Sequence, residues 1–296
     1  IKYIFDIPDN IKEDVDSLFK LDGTIKKFRE AGDEVIIKGK KTKSTKPTYH
    51  LEYGPKSICH VIFLLGVPRG KKVYQVYGIP KWIKRGNLEI KKAFLQGLFD
   101  SELGNATISS YMNHERNLGS PRMELCKSKR LRYSLIQYLE EIKYLLSDFN
   151  IESSIKYPRT LDRYKVSYTL VISNKLKNIE LLIKEVGFYY SNERKTRSHE
   201  ILRLIDKKIK SNRKRLFSTL EYCKNKSIFC TSDLIRDLNM PTSTSSIICN
   251  YLFKRGLVER ENVNGRRFYY KPYIYKINNL LNDRNELFAI NISRFK

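Results

Sequence analysis

The spacing of apolar residues predicts short strands that alternate with amphipathic helices. Within residues 10–21, Ile11, Val15, Leu18 and Phe19 recur at the three- and four-residue intervals of one helical face. Residues 49–53 instead alternate apolar and polar positions, as a strand with one buried face does. The same criteria predict strands at 1–7, 24–29 and 35–38, a solvent-facing basic loop at 38–46 and a helix at 56–65.

After residue 103 the order of two strands and then a helix occurs twice. The predicted elements are strand pairs at 106–112 with 123–127 and at 156–157 with 164–172, and helices at 131–149 and 177–186. Gly187 is expected to end the last of these helices. Because the end of this series also precedes residue 88, the simplest account is two copies of one ββα-ββα unit.

Residues 94–104 (FLQGLFDSELG) predict an apolar helix that ends in two acids and a glycine. Glu102 lies at its C-terminus, where the helix dipole makes an acid unfavourable unless a cation is bound. Gly97 and Ser101 are four residues apart, so they share one face and would let a second helix approach closely. We therefore expect a buried helix that delivers a carboxylate to a metal site. The alternative is a core helix with a capping acid.

Three motifs in the expected order resemble the LAGLIDADG homing endonucleases of the archaeal and intein type. They are the second signature helix at 94–104, the junction between the halves at 65–83 (LGVPRGKK, then IPKWI) and the end of the second half at 186–195 (VGFY, then RK). The resemblance covers residues 1–210. It implies two signature helices packed together, each with its terminal acid over the DNA minor groove, and sheets in the flanking major grooves.

The resemblance also implies a divalent-metal site and catalytic lysines. Glu102 matches the second acid and would hold Mg²⁺ or Mn²⁺, which polarises a scissile phosphate and activates water. Lys72 and Lys195 are the candidate lysines of the two halves. Tyr77 occupies the lysine position of the family's KxIP motif, which is a departure from the pattern.

The first signature helix is a second departure. One register places it at residues 15–23 with Asp22 as the acid, but charged side chains surround that helix and a central position would not tolerate them. The favoured register makes residues 10–21 an outer helix of the first half and places the signature helix upstream of Ile1. With that helix supplied, the protein would act as a monomer.

Residues 211–275 predict a separate unit of three helices and a hairpin. The helices are predicted at 211–226, 231–238 and 242–255, and strands at 257–260 and 267–270 flank the turn signal Asn264-Gly265. This order resembles the winged helix-turn-helix superfamily, which implies a third helix in the major groove and a wing at a phosphate. The alternative is a winged helix that contacts a protein.

The predicted fold class is therefore α+β, with two LAGLIDADG halves and a winged helix-turn-helix domain. The boundaries are 1–88 for an incomplete first half, 89–210 for the second half, 211–275 for the winged helix and 276–296 for a C-terminal tail. The candidate DNA-binding residues can donate or accept hydrogen bonds at base edges or phosphates. They are Tyr111, Asn113, His114, Arg116, Arg122, Arg159, Arg163, Lys165, Thr242, Ser243, Thr244, Ser245, Asn250, Arg266 and Arg267.

Charge supports a nucleic-acid partner. The chain has 57 Lys and Arg against 32 Asp and Glu, a formal net charge of +25, and this excess attracts polyanions. The sequence has no run of about 18 apolar residues, which argues against a membrane span. Its five cysteines form no CxxC pair, so they indicate buried apolar residues in a reducing compartment.

Together these patterns predict a site-specific, Mg²⁺-dependent endonuclease that makes a double-strand break in duplex DNA, in the cytoplasm at the nucleoid. The alternative is a cleavage-inactive DNA- or RNA-binding protein, such as a transcription regulator or a maturase-like splicing factor whose partner is structured RNA.

Overall fold

The chain combines helices with small antiparallel sheets, and its class is α+β. The computed structural model describes residues 3–5, 8–37, 40–44, 47–54, 56–68, 70–104, 106, 108–110, 116–160, 164–226, 228–263 and 266–270. Two compact units divide the chain. The first comprises Ile1–Thr107, Gly119–Ser173 and Leu181–His199, and the second comprises Ile108–Leu118, Asn174–Glu180 and Glu200–Lys296.

The N-terminal elements of the first unit form one sheet, one hairpin and four helices. They are β1 (Tyr3–Phe5), α1 (Pro8–Phe19), β2 (Thr24–Arg29), β3 (Glu34–Ile37), β4 (Lys40–Lys43), β5 (Thr48–Glu52), α2 (Lys56–Leu64), α3 (Lys81–Arg85) and α4 (Leu88–Glu102). The sheet has the order β1-β5-β2, and β3 pairs with β4. The predicted basic loop at 38–46 is wrong over β4. The polar side chains of this segment show no strand-like alternation, but its backbone forms a strand through hydrogen bonds to β3.

Helix α1 packs through one face only. Val15 and Phe19 lie against a small core formed by Leu51, Tyr53 and Ile58. This one-sided packing agrees with the outer-helix register. The carboxylate of Asp22, the acid of the other register, is 97% exposed and forms an ion pair with Lys12. It therefore does not lie at a buried helix end.

The next elements are β6 (Ile108–Ser110), β7 (Arg116–Leu118), β8 (Arg122–Ser128), α5 (Arg132–Ser147), β9 (Ser153–Thr160), β10 (Lys165–Ile172) and α6 (Leu176–Leu181). One sheet has the order β8-β10-β9. The predicted pairing of 106–112 with 123–127 is wrong, because β6 pairs with β7 and β8 pairs with β10. A wide π-helical turn, Leu182–Val186, follows α6 and ends at Gly187, whose φ is +70°.

The main core of the first unit lies between α4, α5 and the β8-β10-β9 sheet. Phe99 of α4, Leu139 and Ile142 of α5 and Leu170 of β10 are fully buried in it. Because the apolar side of α4 faces this core, its polar residues are left for the ends and edges of the helix.

The last elements are α7 (Asn192–Asn225), β11 (Ile228–Cys230), α8 (Thr231–Leu238), α9 (Thr242–Lys254), β12 (Glu259–Val263) and β13 (Arg266–Tyr270). The predicted helices 231–238 and 242–255 are confirmed, and the sheet has the order β11-β13-β12. Phe229 of β11 stacks on Tyr269 of β13, with ring centroids 5.6 Å apart. None of the described helices is long and apolar enough to cross a bilayer.

Helix α7 begins well before the predicted start at residue 211, so the boundary between residues 210 and 211 falls inside a continuous helix. The physical reason is that the apolar spacing continues upstream. Ile209 and Ile205 are buried about two and three turns before Leu216, and neither glycine nor proline interrupts the helix. The predicted tail at 276–296 lies outside the described residues.

Candidate functional site

Helix α4 presents Glu102 at its C-terminal end, as predicted. The side chain of Asn87 caps the start of the helix by accepting a hydrogen bond from the Ile90 N–H (3.0 Å). Leu95 and Phe99 are fully buried, whereas Glu102 is exposed. The apolar side therefore fixes the helix in the core and leaves its last carboxylate accessible.

Two polar side chains of α4 join it to the turn that precedes α7. This turn belongs to the motif at residues 186–195, the end of the second half in the resemblance. The amide of Gln96 donates to the Val186 carbonyl (2.8 Å). The carboxylate of Asp100 accepts three backbone hydrogen bonds, from the N–H groups of Tyr189 (2.9 Å), Tyr190 (2.8 Å) and Ser191 (3.3 Å). These contacts attach the start of α7 directly to the helix that carries Glu102.

The Asp100 contacts hold the backbone just before the first residue of α7, and a serine hydroxyl caps the helix itself. Ser191 precedes the first residue of α7, and its hydroxyl accepts a hydrogen bond from the Arg194 N–H (3.3 Å). A carboxylate beside a helix N-terminus is also stabilised by the helix dipole. The sequence interpretation missed this role. The signal for it was an acid one turn after Gln96 on an otherwise apolar helix.

The C-terminal end of α4 is capped by a cation of the chain itself. The guanidinium of Arg194 donates to the Leu103 carbonyl, and it lies over the Phe188 ring at 5.4 Å from the centroid. A positive side chain at a helix C-terminus offsets the partial negative charge there. Arg194 thus offsets part of this charge, and the expected effect of a bound cation on Glu102 stays a prediction.

Glu102 has no hydrogen bond or ion pair within the described part of the chain. Its charge reaches two partly or wholly buried rings. Burial chiefly raises the pKa of Tyr77, and the negative charge of Glu102 adds to the effect. Burial likewise raises the pKa of Tyr138, with smaller contributions from Tyr77 and Glu102. The two rings meet edge to face at 5.0 Å, so Glu102 lies beside an aromatic pair.

Glu102 offers an accessible carboxylate to a divalent cation at the end of α4. Among the described residues, no group of three or more His, Cys, Asp or Glu side chains could hold a metal ion. Mg²⁺ is commonly bound through one or two carboxylates together with substrate phosphates and water. Glu102 therefore fits one protein ligand of such a site, and the other ligands would come from the nucleic acid or from a second acid.

The two candidate lysines differ in their connection to α4. Lys195 lies in the first turn of α7, directly after the Asp100-bound segment, and its ammonium is 5.7 Å from the centroid of the Tyr189 ring. Lys72 begins a short 3₁₀ helix, Lys72–Tyr74, and is exposed. No hydrogen bond or ion pair in the described ranges joins Lys72 to α4. Of the two candidate lysines, Lys195 is therefore the one that follows a segment bound to α4.

A buried lysine that the sequence interpretation missed lies against Tyr77. The side chain of Lys127, on β8, is 0% exposed, and its ammonium lies 3.8 Å from the centroid of the Tyr77 ring. It also donates to the Ser134 hydroxyl (2.9 Å). Strand β8 therefore brings an ammonium against the ring of Tyr77, the residue at the lysine position of the KxIP motif. No local pattern could indicate this, because the two residues are fifty positions apart.

Replacing Lys127 by methionine is expected to remove a pH-dependent part of the stability. Burial lowers the pKa of this ammonium, so above the lowered pKa the unfolded chain binds more protons and the wild-type stability rises with pH. At pH values between the lowered pKa and the ordinary lysine value of about 10.4, Lys127→Met should flatten that rise. Urea unfolding at several pH values measures it. Lys129→Met controls for loss of a charge from the adjacent turn, and equal slopes for all three proteins would refute the prediction.

Gly97 and Ser101 share one face of α4, and their contact with a partner helix stays a prediction. Both residues are exposed, and a Cβ atom placed on Gly97 would meet no atom within 4 Å. The Ser101 hydroxyl instead donates back to the Leu98 carbonyl (3.1 Å). Within the described ranges no helix packs on this face of α4. Helix α1, which the other register makes the first signature helix, packs on its own sheet instead.

Replacing Gly97 by alanine is expected to stabilise this chain. Glycine in an exposed helix interior costs about 0.8–1 kcal/mol relative to alanine, and the open space around Gly97 leaves the new methyl group unhindered. The melting temperature should therefore rise. Gly104→Ala is the contrasting variant, because a Cβ there would lie 3.2 Å from the Arg122 carbonyl. A lower melting temperature for Gly97→Ala would show that a neighbour covers this face.

The predicted DNA-binding residues are only partly described. Tyr111, Asn113, His114 and Arg163 lie outside the described residues. The backbones of Arg116, Arg159, Ser243 and Arg266 lie in β7, β9, α9 and β13, and their side chains are outside the described part. On the β8-β10-β9 sheet, Arg122 is exposed and Lys165 is half-buried.

Helix α9 offers fewer groups to a base edge than predicted. Thr244 and Ser245 are 1% and 0% exposed, so their side chains face the interior and this part of the prediction is corrected. The reason is that they share the helix face of the buried residues Ile248 and Leu252. Thr242 remains exposed.

Two further predicted residues lie on or beside the α9–hairpin surface. The Asn250 amide oxygen accepts a hydrogen bond from Arg260 (3.4 Å), and Arg267 of β13 is exposed. Arg267 is therefore accessible, whereas Asn250 already has a partner within the protein.

Comparison with known proteins finds similar stretches inside much longer chains, and no family model matches. A stretch covering 44% of the chain is 35% identical to part of a tRNA-splicing ligase RtcB of Methanocaldococcus jannaschii. Stretches covering 63% and 62% are each 30% identical to parts of a DNA-directed RNA polymerase subunit Rpo1N and a replication factor C small subunit of the same organism. The chain spans 13%, 14% and 9% of the lengths of these three proteins.

Proposed function

We propose that this chain is the DNA-cleaving and DNA-binding part of a LAGLIDADG-type endonuclease, followed by a winged helix-turn-helix domain. It would bind duplex DNA at the nucleoid and hydrolyse phosphodiester bonds with Mg²⁺. The observation that supports this most is the end of α4, where an exposed Glu102 projects from a helix that the core holds rigidly.

The contacts around this helix end support the same proposal. Asp100 binds the backbone that leads into α7, and Arg194 caps the Leu103 carbonyl. Lys195 therefore follows a segment whose position is determined by α4. Rigid placement of charged groups is what hydrolysis of a phosphodiester requires, because most of the catalysis comes from positioning and electrostatic stabilisation.

The similar proteins add an independent argument. Their names describe a ligase, a polymerase subunit and a replication factor subunit, yet the similar part is a minor share of each. Similarity to parts of proteins with such different names supports a module that is separable from their individual activities. The resemblance to intein-type homing endonucleases implies such a module.

The residues of this chain would have the following roles in the reaction. When bound, Mg²⁺ would act as a Lewis acid on the phosphodiester. Glu102 would be its protein ligand on this side. Lys195 would place positive charge next to the phosphate, and the exposed Arg122 and Arg267 would bind backbone phosphates or base edges. Asp100 would act as a positioning residue, through the backbone before α7 that it binds.

The direct test is cleavage of a plasmid library that carries random inserts, with breaks mapped by sequencing. Wild-type protein with Mg²⁺ should produce breaks at one related set of sequences, and EDTA should abolish them. Breaks without sequence preference, or breaks that persist in EDTA, would contradict the proposal. The same preparation should bind duplex DNA in EDTA, which separates binding from chemistry.

The second candidate is a cleavage-inactive protein that binds DNA or structured RNA. The observation in its favour is that the described residues contain no group of three or more His, Cys, Asp or Glu side chains that could hold a metal ion. Tight binding without a break in any library member, at every Mg²⁺ and Mn²⁺ concentration, would support this candidate over the endonuclease.

A further inference from the structure

Helix α7 has a line of basic side chains that the predicted binding set did not include. Residues 203–215 contain seven Lys and Arg and one acid, Asp206. Four of the basic residues are spaced by four, three and four positions and form what we call the α7 stripe, namely Arg203, Lys207, Lys210 and Lys214. At about 100° per residue they lie within roughly 60° of each other around the helix axis.

The α7 stripe points away from the buried side of its helix. Arg203, Lys207, Lys210 and Lys214 are exposed. The residues of α7 that lie in the interior are on the opposite side, and Ile205, Asn212 and Leu216 are among them. Because the packed side fixes the rotation of the helix, the four ammonium and guanidinium groups all project to one side.

The four charged groups of the stripe form no ion pair or hydrogen bond within the described part of the protein. Like charges three and four residues apart destabilise a helix by about 0.2–0.5 kcal/mol per pair. The stripe has three such neighbouring pairs, so it is a small cost to the free chain. A polyanion bound along the helix would reverse that cost.

The length of the stripe suits a phosphate backbone. From Arg203 to Lys214 the helix rises about 16 Å, at about 1.5 Å per residue. One strand of duplex DNA presents a phosphate about every 3.4 Å along the axis. A helix laid along the backbone could therefore contact three or four phosphates, and contacts of this kind have no sequence preference.

We propose that the α7 stripe binds the phosphate backbone of duplex DNA and supplies a large part of the sequence-independent affinity. The inference rests on the proposed function only in taking DNA as the partner, and it requires no cleavage. The α7 stripe would thus add a binding element outside the predicted set of DNA-binding residues.

The test compares two fourfold variants of the full chain by their salt dependence. The stripe variant is Arg203→Gln with Lys207→Gln, Lys210→Gln and Lys214→Gln. The control removes the same charge from exposed lysines elsewhere, by Lys20→Gln, Lys81→Gln, Lys129→Gln and Lys177→Gln. Binding to a short random duplex is measured in EDTA between about 50 and 200 mM salt. Glutamine is a good helix former, so α7 should persist, and circular dichroism checks this.

The slope of log K against log salt should fall in magnitude by about 3 for the stripe variant, since each lost phosphate contact contributes about 0.9. The control should change it by less than about 1. A third variant with Lys207→Arg, Lys210→Arg and Lys214→Arg should keep the wild-type slope, which shows that charge rather than altered folding is responsible.

Two results would overturn the inference. One is an equal change of slope in the stripe and control variants. The other is a loss confined to a hairpin RNA, with duplex DNA binding unchanged, which would assign the stripe to RNA. Because these measurements contain no metal, they are independent of the cleavage assay. A chain that never cuts but shows the stripe effect would refute the endonuclease and leave this proposal intact.

Discussion

Replacement of Glu102 by glutamine is expected to abolish Mg²⁺-dependent cleavage while DNA affinity stays nearly unchanged. Glutamine keeps the size of the side chain and removes the charge that would hold the cation. A metal ion supplies several kcal/mol of transition-state stabilisation, so the rate should fall by roughly 10³-fold or more. Because Glu102 is exposed and has no ion pair among the described residues, folding should not suffer.

The matched control is Glu89→Gln. Glu89 is an exposed acid in the first turn of the same helix, so its replacement changes the net charge equally at the opposite end. Its cleavage rate should remain at the wild-type level. If Glu102→Gln cuts at an ordinary rate, or if Glu89→Gln is equally inactive, Glu102 is not the metal ligand. An unchanged melting temperature for both variants would exclude unfolding as the cause of any loss.

Replacement of Asp100 by alanine is expected to cost about 2–4 kcal/mol of folding free energy. The carboxylate accepts hydrogen bonds from the backbone of Tyr189, Tyr190 and Ser191. Without it, these N–H groups lose their acceptor beside the start of α7. The measurements are chemical unfolding and hydrogen exchange, in which the Tyr190 amide should lose its protection.

Asp100→Asn is the graded control for this prediction. Its amide oxygen can still accept one or two of the three hydrogen bonds, but it lacks the negative charge that the start of α7 favours. Its stability should therefore fall between those of the wild type and the alanine variant. If Asp100→Ala is as stable as the wild type and Tyr190 remains protected, the contact with α4 does not hold this turn in solution.

Local patterns in the sequence identified most of the elements. The apolar spacing around Leu95 and Phe99 predicted α4, and the predicted helices 231–238 and 242–255 match α8 and α9 closely. These assignments succeed because the period of a helix or strand is set by neighbours a few residues away. Where a strand depends on its partner, as β4 does on β3, the local pattern predicted a loop instead.

The sequence by itself determined the α+β class, the basic character and the position of Glu102 at the end of an apolar helix. Only the tertiary structure showed that Asp100 binds the turn before α7 and that Lys127 lies against Tyr77. It also showed that Thr244 faces the interior. The physical reason is that hydrogen bonds and burial depend on which distant segments meet, and no spacing within one segment contains that information.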